Sequence, residues 1–362
     1  MDKIKRFFEC LIPVTACNLE CGYCYVIQRD NRKMEIPNLK YSPEIIGKGL
    51  TVERLGGICY FSICGAGETL IPEDTVRITY VLLKNGHYVN LTTNGTISKR
   101  IDKFLEFPKE FLLRLNFSFS FHYNELVRLN LIETFFYNIN RVKEAGCSFV
   151  LQINLCDEYL DVWNDIKRIC INRVGAPPQV AATRREHDLC SNVVLHTDLE
   201  LDDYISKGRE FDSPLFEFTM KNFNVRRTEF CYAGDWSGTL NFGTGVLTKC
   251  YGLKGQDIFS DINKPIQFCA VGKCPSLFCM NSSHFLSLGV IPDLSTPTYA
   301  ELRDRKDVPW YNSTMQEFLN QKLSDNNNLY DKKRKLIVIV KSTLRNYGLI
   351  LKRKLKRVFA RL

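Results

Sequence analysis

Six apolar, β-rich runs recur about every thirty residues through the first half of this chain, a spacing that leaves room for one helix between each pair. They are Cys10–Thr15, Ile58–Cys64, Tyr88–Thr92, Leu112–Phe121, Phe149–Leu155 and Gln179–Ala182. Helical character fills the gaps at Pro43–Leu55, Asp74–Lys84, Ser98–Phe107, Glu125–Ala145 and Asp161–Arg173. Such alternation builds βα units around a parallel sheet, either doubly wound and open or curled into a partial barrel. In both, functional groups gather at the C-terminal ends of the strands.

Polar motifs fall at those ends. Cys17-x3-Cys21-Gly22-Tyr23-Cys24 follows the first run, and Gly65-Ala66-Gly67-Glu68 follows the second. Thr93-Asn94-Gly95 ends the third, Ser118, Ser120 and His122 close the fourth, and Gln152 and Asn154 lie on the fifth. Three thiolates within eight residues can share one metal centre, and thiolate is the usual ligand of an iron–sulfur cluster. Zinc prefers four protein ligands, and no fourth stands nearby.

The composition, 45% hydrophobic and 25% charged, is that of a globular protein, and 362 residues suffice for a large core. Fifteen cysteines are many for such a length. No signal peptide or 18-residue apolar run is evident, so the expectation is a reducing cytoplasm with cysteines as metal ligands or buried apolar groups. The +9 charge sits in the tail: residues 331–362 hold twelve Lys/Arg against one Asp, and the rest is near neutral.

The first cysteine loop, with its aromatic residue before the third cysteine, resembles the signature of the radical S-adenosylmethionine (radical SAM) enzymes. The resemblance implies a partial (β/α)6 TIM-like barrel over residues 1–215, an α/β fold. It implies a [4Fe-4S] cluster on Cys17, Cys21 and Cys24, with S-adenosylmethionine on the open iron. An electron from the cluster then yields a 5′-deoxyadenosyl radical that abstracts hydrogen from substrate. Gly65, Gly67 and Glu68 resemble the family's "GGE" element, with Ala66 replacing its first glycine, and Glu68 suits an ammonium partner. Tyr23 would pack beside the adenine; Thr93, Asn94, Ser120 and Asn154 resemble polar positions flanking the cofactor. His122 is a candidate acid/base or substrate contact, and Arg184 and Arg185 are candidate anion contacts.

A second set follows. Cys231, Gly245 and Cys250, then Cys269-x4-Cys274-Pro275-x3-Cys279, resemble the SPASM/twitch auxiliary-cluster domains of many radical SAM enzymes. That likeness implies an auxiliary [4Fe-4S] cluster over residues 225–292, with zinc as competitor and His284 as a further ligand candidate. Five cysteines are one too many for a single cluster. Residues 293–328 are expected to be a linker, and residues 329–362 a basic amphipathic helix. Its apolar face would run through Leu336, Val340, Leu344, Tyr347, Leu351, Leu355, Val358 and Leu362. Such a helix suits an anionic membrane surface, docking on its own body or, less well, nucleic acid.

The expected function is radical chemistry on a peptide or small protein, fed by a reductant such as flavodoxin or ferredoxin. A lipid-linked or envelope-polysaccharide precursor met at the inner membrane face is the alternative, RNA modification a third. A non-catalytic metal-stabilised binding module is the reading from a different class.

Overall fold

A computed structural model describes residues 2–28, 32–185 and 192–359, with side chains in the final helix described as far as Arg345. One sheet organises the molecule, in the order β6-β5-β4-β3-β2-β1-β7-β8-β9. Strands β1 (Arg6–Ile12), β2 (Cys59–Gly65), β3 (Tyr88–Thr93), β4 (Leu115–Ser120), β5 (Ser148–Leu155) and β6 (Gln179–Ala182) run parallel. The sheet does not close. Beyond β1, strand β7 (Ser237–Asn241) adds in parallel, and β8 (Val246–Thr248) and β9 (Gly255–Asp257) follow antiparallel. The cysteine-rich segment thus shares the barrel's sheet.

The side-chain alternation explains the curl. On the outer face Phe117 and Phe119 meet Phe104 and Phe135 of the flanking helices, with ring centroids 5.6 and 5.8 Å apart. On the inner face Ser62, Asn90, Asn116 and Ser148 lie in register across four strands, all buried. Asn90 Nδ2 donates to Ser62 Oγ at 3.0 Å, and Asn116 Nδ2 to Asn90 Oδ1 at 2.6 Å. A one-residue slip would swap this polar ladder for phenylalanines, so register is strongly specified.

Several boundaries move for identifiable reasons. Strand β1 starts four residues earlier than the apolar run, because Arg6 is tied inward: its Nε donates to Asp235 O at 2.8 Å and its Nη1 to Leu55 O. The helical stretch Glu125–Ala145 is two helices, Tyr123–Arg128 and Ile132–Glu144, parted at Asn130 with φ 56°.

Residues 293–328, expected as a linker, are packed. Helices Tyr299–Arg303 and Ser313–Leu319 bury Tyr299, Trp310, Tyr311 and Phe318. Trp310 O accepts from Phe149 N, and Asn312 Nδ2 donates to Leu113 O and Gly146 O, each within 2.9–3.0 Å. This segment plugs the N-terminal end of the strands.

Helix Lys332–Phe359 docks through Val338 and Ser342 against Gly272, where an added Cβ would stand 2.7 Å from Val338 Cγ1. Leu336, Val340 and Leu344 of the expected apolar face stay exposed. The side chains of Tyr347, Leu351, Leu355, Val358 and Leu362 lie outside the described residues. Among the described residues no helix is long and apolar enough to cross a membrane, and fourteen cysteines are free. Cys190 lies outside the described residues.

Candidate active site

The Cys17–Cys24 loop leaves β1 and is fastened from three neighbouring strands. From β2, Gly67 N donates to Val14 O at 2.7 Å and Glu68 N to Ala16 O at 2.9 Å. The fit excludes any side chain at 67: a Cβ there would sit 2.1 Å from Ala16 O. From β3, Asn94 Nδ2 donates to Asn18 Oδ1 at 2.9 Å and faces Cys17 Sγ at 4.0 Å. After β4, Glu125 accepts from Glu20 N at 2.5 Å while held by Arg128 in a fork at 2.7 and 2.8 Å. Hydrogen bonding to Arg128 keeps the Glu125 carboxyl below its usual range. Arg32 Nη2 closes the loop onto Cys17 O at 3.1 Å.

These ties shape a cavity of ≈ 270 Å³ at the C-terminal rim. Cys17, Cys21 and Cys24 line it, together with Tyr23, Gly65, Gly67, Glu68, Thr93, Asn94, Ser120 and Asn154. These eleven residues meet at one cavity, whereas Ser118 and Gln152 of the same rim motifs do not line it. Burial, followed by the charges of Cys17 and Cys24, pushes the Cys21 thiol up to about 12; burial also raises Cys17. A metal centre must displace protons to bind here.

Glu68 is buried and accepts from Thr93 Oγ1 at 2.6 Å, Leu70 N at 2.9 Å and Asn94 N at 2.8 Å. A carboxylate offers about four acceptor positions. Two tie it to the end of β3 and one to its own loop at Leu70, and the one left suits a cationic group in the cavity. Burial raises its pKa against those three bonds.

Tyr23 OH lies 2.6 Å from His122 Nδ1 and 3.0 Å from Tyr159 OH. Burial holds His122 down at about 4, so its ring is neutral at neutral pH, and lifts the Tyr23 phenol well above its ordinary value. Arg32 and Tyr159 are the residues that sequence reasoning missed. Neither stands in a motif, and only the folded loop brings them to Cys17 and Tyr23.

Residues 11–166 match the family model described as the Radical SAM superfamily. These residues form a radical SAM domain. The family's enzymes use a [4Fe-4S] cluster and S-adenosylmethionine. Among solved structures the chain resembles Streptococcus suis SuiB, at 12% identity and TM-score 0.47 over 72% of this chain. It spans 64% of SuiB's length. It also resembles anSMEcpe with bound AdoMet and Kp18Cys peptide, at 12% identity and TM-score 0.44 over 95% of this chain and 98% of that one. BtrN in complex with AdoMet and 2-DOIA gives 12% identity and TM-score 0.29, covering 90% and 92%. No curated protein matches the chain.

The donor set of the radical SAM domain fits the family's cluster. Three thiols line the cavity, and Asn94 directs an N–H at the Cys17 sulfur, the kind of contact that would tune the potential of a cluster held there. Among the described residues no three His, Cys, Asp or Glu side chains are gathered for a single metal ion.

Downstream of the radical SAM domain, four cysteines of the second set act on one another electrostatically. Burial raises the thiols of Cys231, Cys250 and Cys279, and the charges within the set raise them further. Those influences link Cys231, Cys250, Cys274 and Cys279 in every pairing. The fifth, Cys269, turns its Sγ to Ala270 O at 3.7 Å. His284 sits elsewhere, its Nδ1 2.6 Å from Asn281 Oδ1 and its ring stacked on Phe7.

Proposed function

We propose that the chain is a radical SAM enzyme that cleaves S-adenosylmethionine reductively and takes a hydrogen atom from a peptide or small protein. The observation that carries this reading is the single rim cavity shared by Cys17, Cys21, Cys24, Glu68 and Asn94. The bound cluster would supply the electron. The protein's part is to hold and orient: Asn94 and Arg32 brace Cys17, and Glu68 offers its remaining acceptor position to the cofactor's ammonium. Tyr23 and His122 form a neutral, proton-retaining wall that keeps a reactive intermediate from stray acid–base chemistry. Anaerobically reconstituted protein given dithionite and S-adenosylmethionine should release 5′-deoxyadenosine. No release would leave the binding-module reading in its place.

Cys231, Cys250, Cys274 and Cys279 are proposed to hold an auxiliary [4Fe-4S] cluster, with zinc as competitor. The likeness of this set to the auxiliary domains of peptide-modifying enzymes supports the peptide substrate. Cys250→Ser should lower bound metal by one centre's worth, whereas Cys269→Ser should leave it unchanged. Equal losses of iron and sulfide in both variants would contradict the four-to-one division.

The tail supports a second reading, a substrate met at an anionic membrane face. Leu336, Val340 and Leu344 form an exposed apolar stripe at i, i+4, i+8 on a helix flanked by Lys332, Lys333 and Lys341. Leu336→Ser with Leu344→Ser should weaken affinity for phosphatidylserine vesicles, read by co-sedimentation, at least ~100-fold, each leucine giving up roughly 1.5–3 kcal/mol of burial. Unchanged co-sedimentation would remove the membrane from the account.

A further inference from the structure

A second cavity of ≈ 200 Å³ adjoins the first, and Tyr23, Thr92, Ser120, His122 and Asn154 wall both. None of the three loop cysteines lines it. Apart from Phe121, its other walls carry polar groups. Asn90, Ser118 and Gln152 come from the inner face of the sheet, and His284, Tyr299 and Arg303 come from the C-terminal half.

Arg303 is the feature that needs an explanation. It is 4% exposed, and its guanidinium lies 3.7 Å over the Tyr299 ring. Nη2 donates to Ser283 O at 3.0 Å, while Nη1 is buried without a hydrogen-bond partner. Among the described residues no carboxylate forms an ion pair with it. Glu9, half-buried, is taken up by Asn281, whose Nδ2 donates to it at 2.7 Å. The Tyr311 hydroxyl, within electrostatic reach of Arg303, is also buried and without a hydrogen-bond partner. A buried cation without a counter-charge is costly, and proteins keep one where a ligand completes it. His284 adds no charge: burial, then Arg303, hold its pKa well below the ordinary value.

We propose that this second cavity is the substrate pocket, and that Arg303 binds an anionic group of the substrate, a carboxylate or a phosphate. The rest of the substrate then reaches the cofactor cavity across the shared wall of Tyr23, Ser120 and Asn154. The inference rests on the radical SAM reading and narrows its substrate to one carrying an anion. It also gives the plug at residues 299–319 a functional part.

Calorimetric titration of the full-length reconstituted protein, with sodium phosphate and separately with sodium acetate, tests this. One saturable site is expected for at least one anion, and which anion it is distinguishes a phosphorylated from a carboxylate-bearing substrate. Arg303→Met should weaken that site about tenfold or more, the value of a charge-assisted hydrogen bond. Gln152→Glu keeps the cavity's volume and adds a competing carboxylate, so it should do the same even if Arg303→Met fails to fold. Lys332→Gln with Lys333→Gln should leave the site intact. No saturable site, or one that survives both cavity variants or vanishes with the tail variant, overturns the proposal. 5′-Deoxyadenosine release, measured in parallel without substrate, separates the two ideas. Release with no anion site rejects the pocket alone; an anion site without release supports the pocket and rejects the chemistry.

Discussion

Cys21→Ala protein is expected to release no measurable 5′-deoxyadenosine under conditions where the wild type does. Cys21 is the middle cysteine of the loop and the proposed central ligand, and its thiol interacts with both Cys17 and Cys24 across the cavity. Loss of a residue that merely supports a metal ligand costs about 10–100-fold, so loss of a ligand should cost at least ~100-fold in SAM cleavage. The fold should survive. Cys21 is buried beside apolar neighbours, and alanine leaves only a small gap there. The check is product release by chromatography, alongside a thermal melt of the protein without metal. Cleavage at wild-type rate would mean that the cysteine loop is not the reducing centre.

Gly67→Ala is expected to damage the site without removing any cysteine. The added methyl would stand 2.1 Å from Ala16 O and 2.7 Å from Thr15 C, both backbone atoms that cannot swing aside. The chain just before Cys17 must move, breaking the bonds from Gly67 N to Val14 O and Glu68 N to Ala16 O. Overpacking of this kind costs about 1–3 kcal/mol in stability. The larger effect should be on iron held at the loop and on S-adenosylmethionine affinity, both lowered about tenfold or more, since displaced ligands lose metal as surely as absent ones. Gly175→Ala is the control. It caps helix Trp163–Val174 with φ 81° and crowds Val308, so its stability cost is comparable, yet it lies far from the cavity residues. Iron content and affinity should fall for Gly67→Ala and hold for Gly175→Ala. Equal behaviour would reduce the Gly67 effect to general destabilisation.

The six parallel strands were legible because each is a short β-rich run with helical sequence on either side. Gln179–Ala182 and helix Asp74–Lys84 emerged with their sequence-read bounds. The rim motifs were legible for the same reason: a residue at the end of a parallel strand has only one place to be. Three things were not. Arg6 lies outside the apolar run that marks the first strand, and only its bonds to Asp235 and Leu55 show that it opens that strand. Residues 293–328 are rich in Asn, Asp and Pro and read as a connector. Their aromatic residues are spaced without period because they fill one irregular surface, the floor of the barrel. Arg303 carried no local signal at all, since its isolation is a property of the folded interior. The tail was legible as a helix but not in its orientation. Val338 and Ser342 meet the body, and the leucine stripe faces out.

The most direct test of the central claim is electron paramagnetic resonance of the anaerobically reconstituted, dithionite-reduced protein, recorded with and without S-adenosylmethionine. An open iron on the Cys17–Cys21–Cys24 cluster must sense the cofactor binding to it. The account predicts a reduced [4Fe-4S] signal that shifts on adding S-adenosylmethionine and is missing from Cys21→Ala protein. A spectrum unchanged by S-adenosylmethionine, or an identical shift in the Cys21→Ala protein, would contradict it.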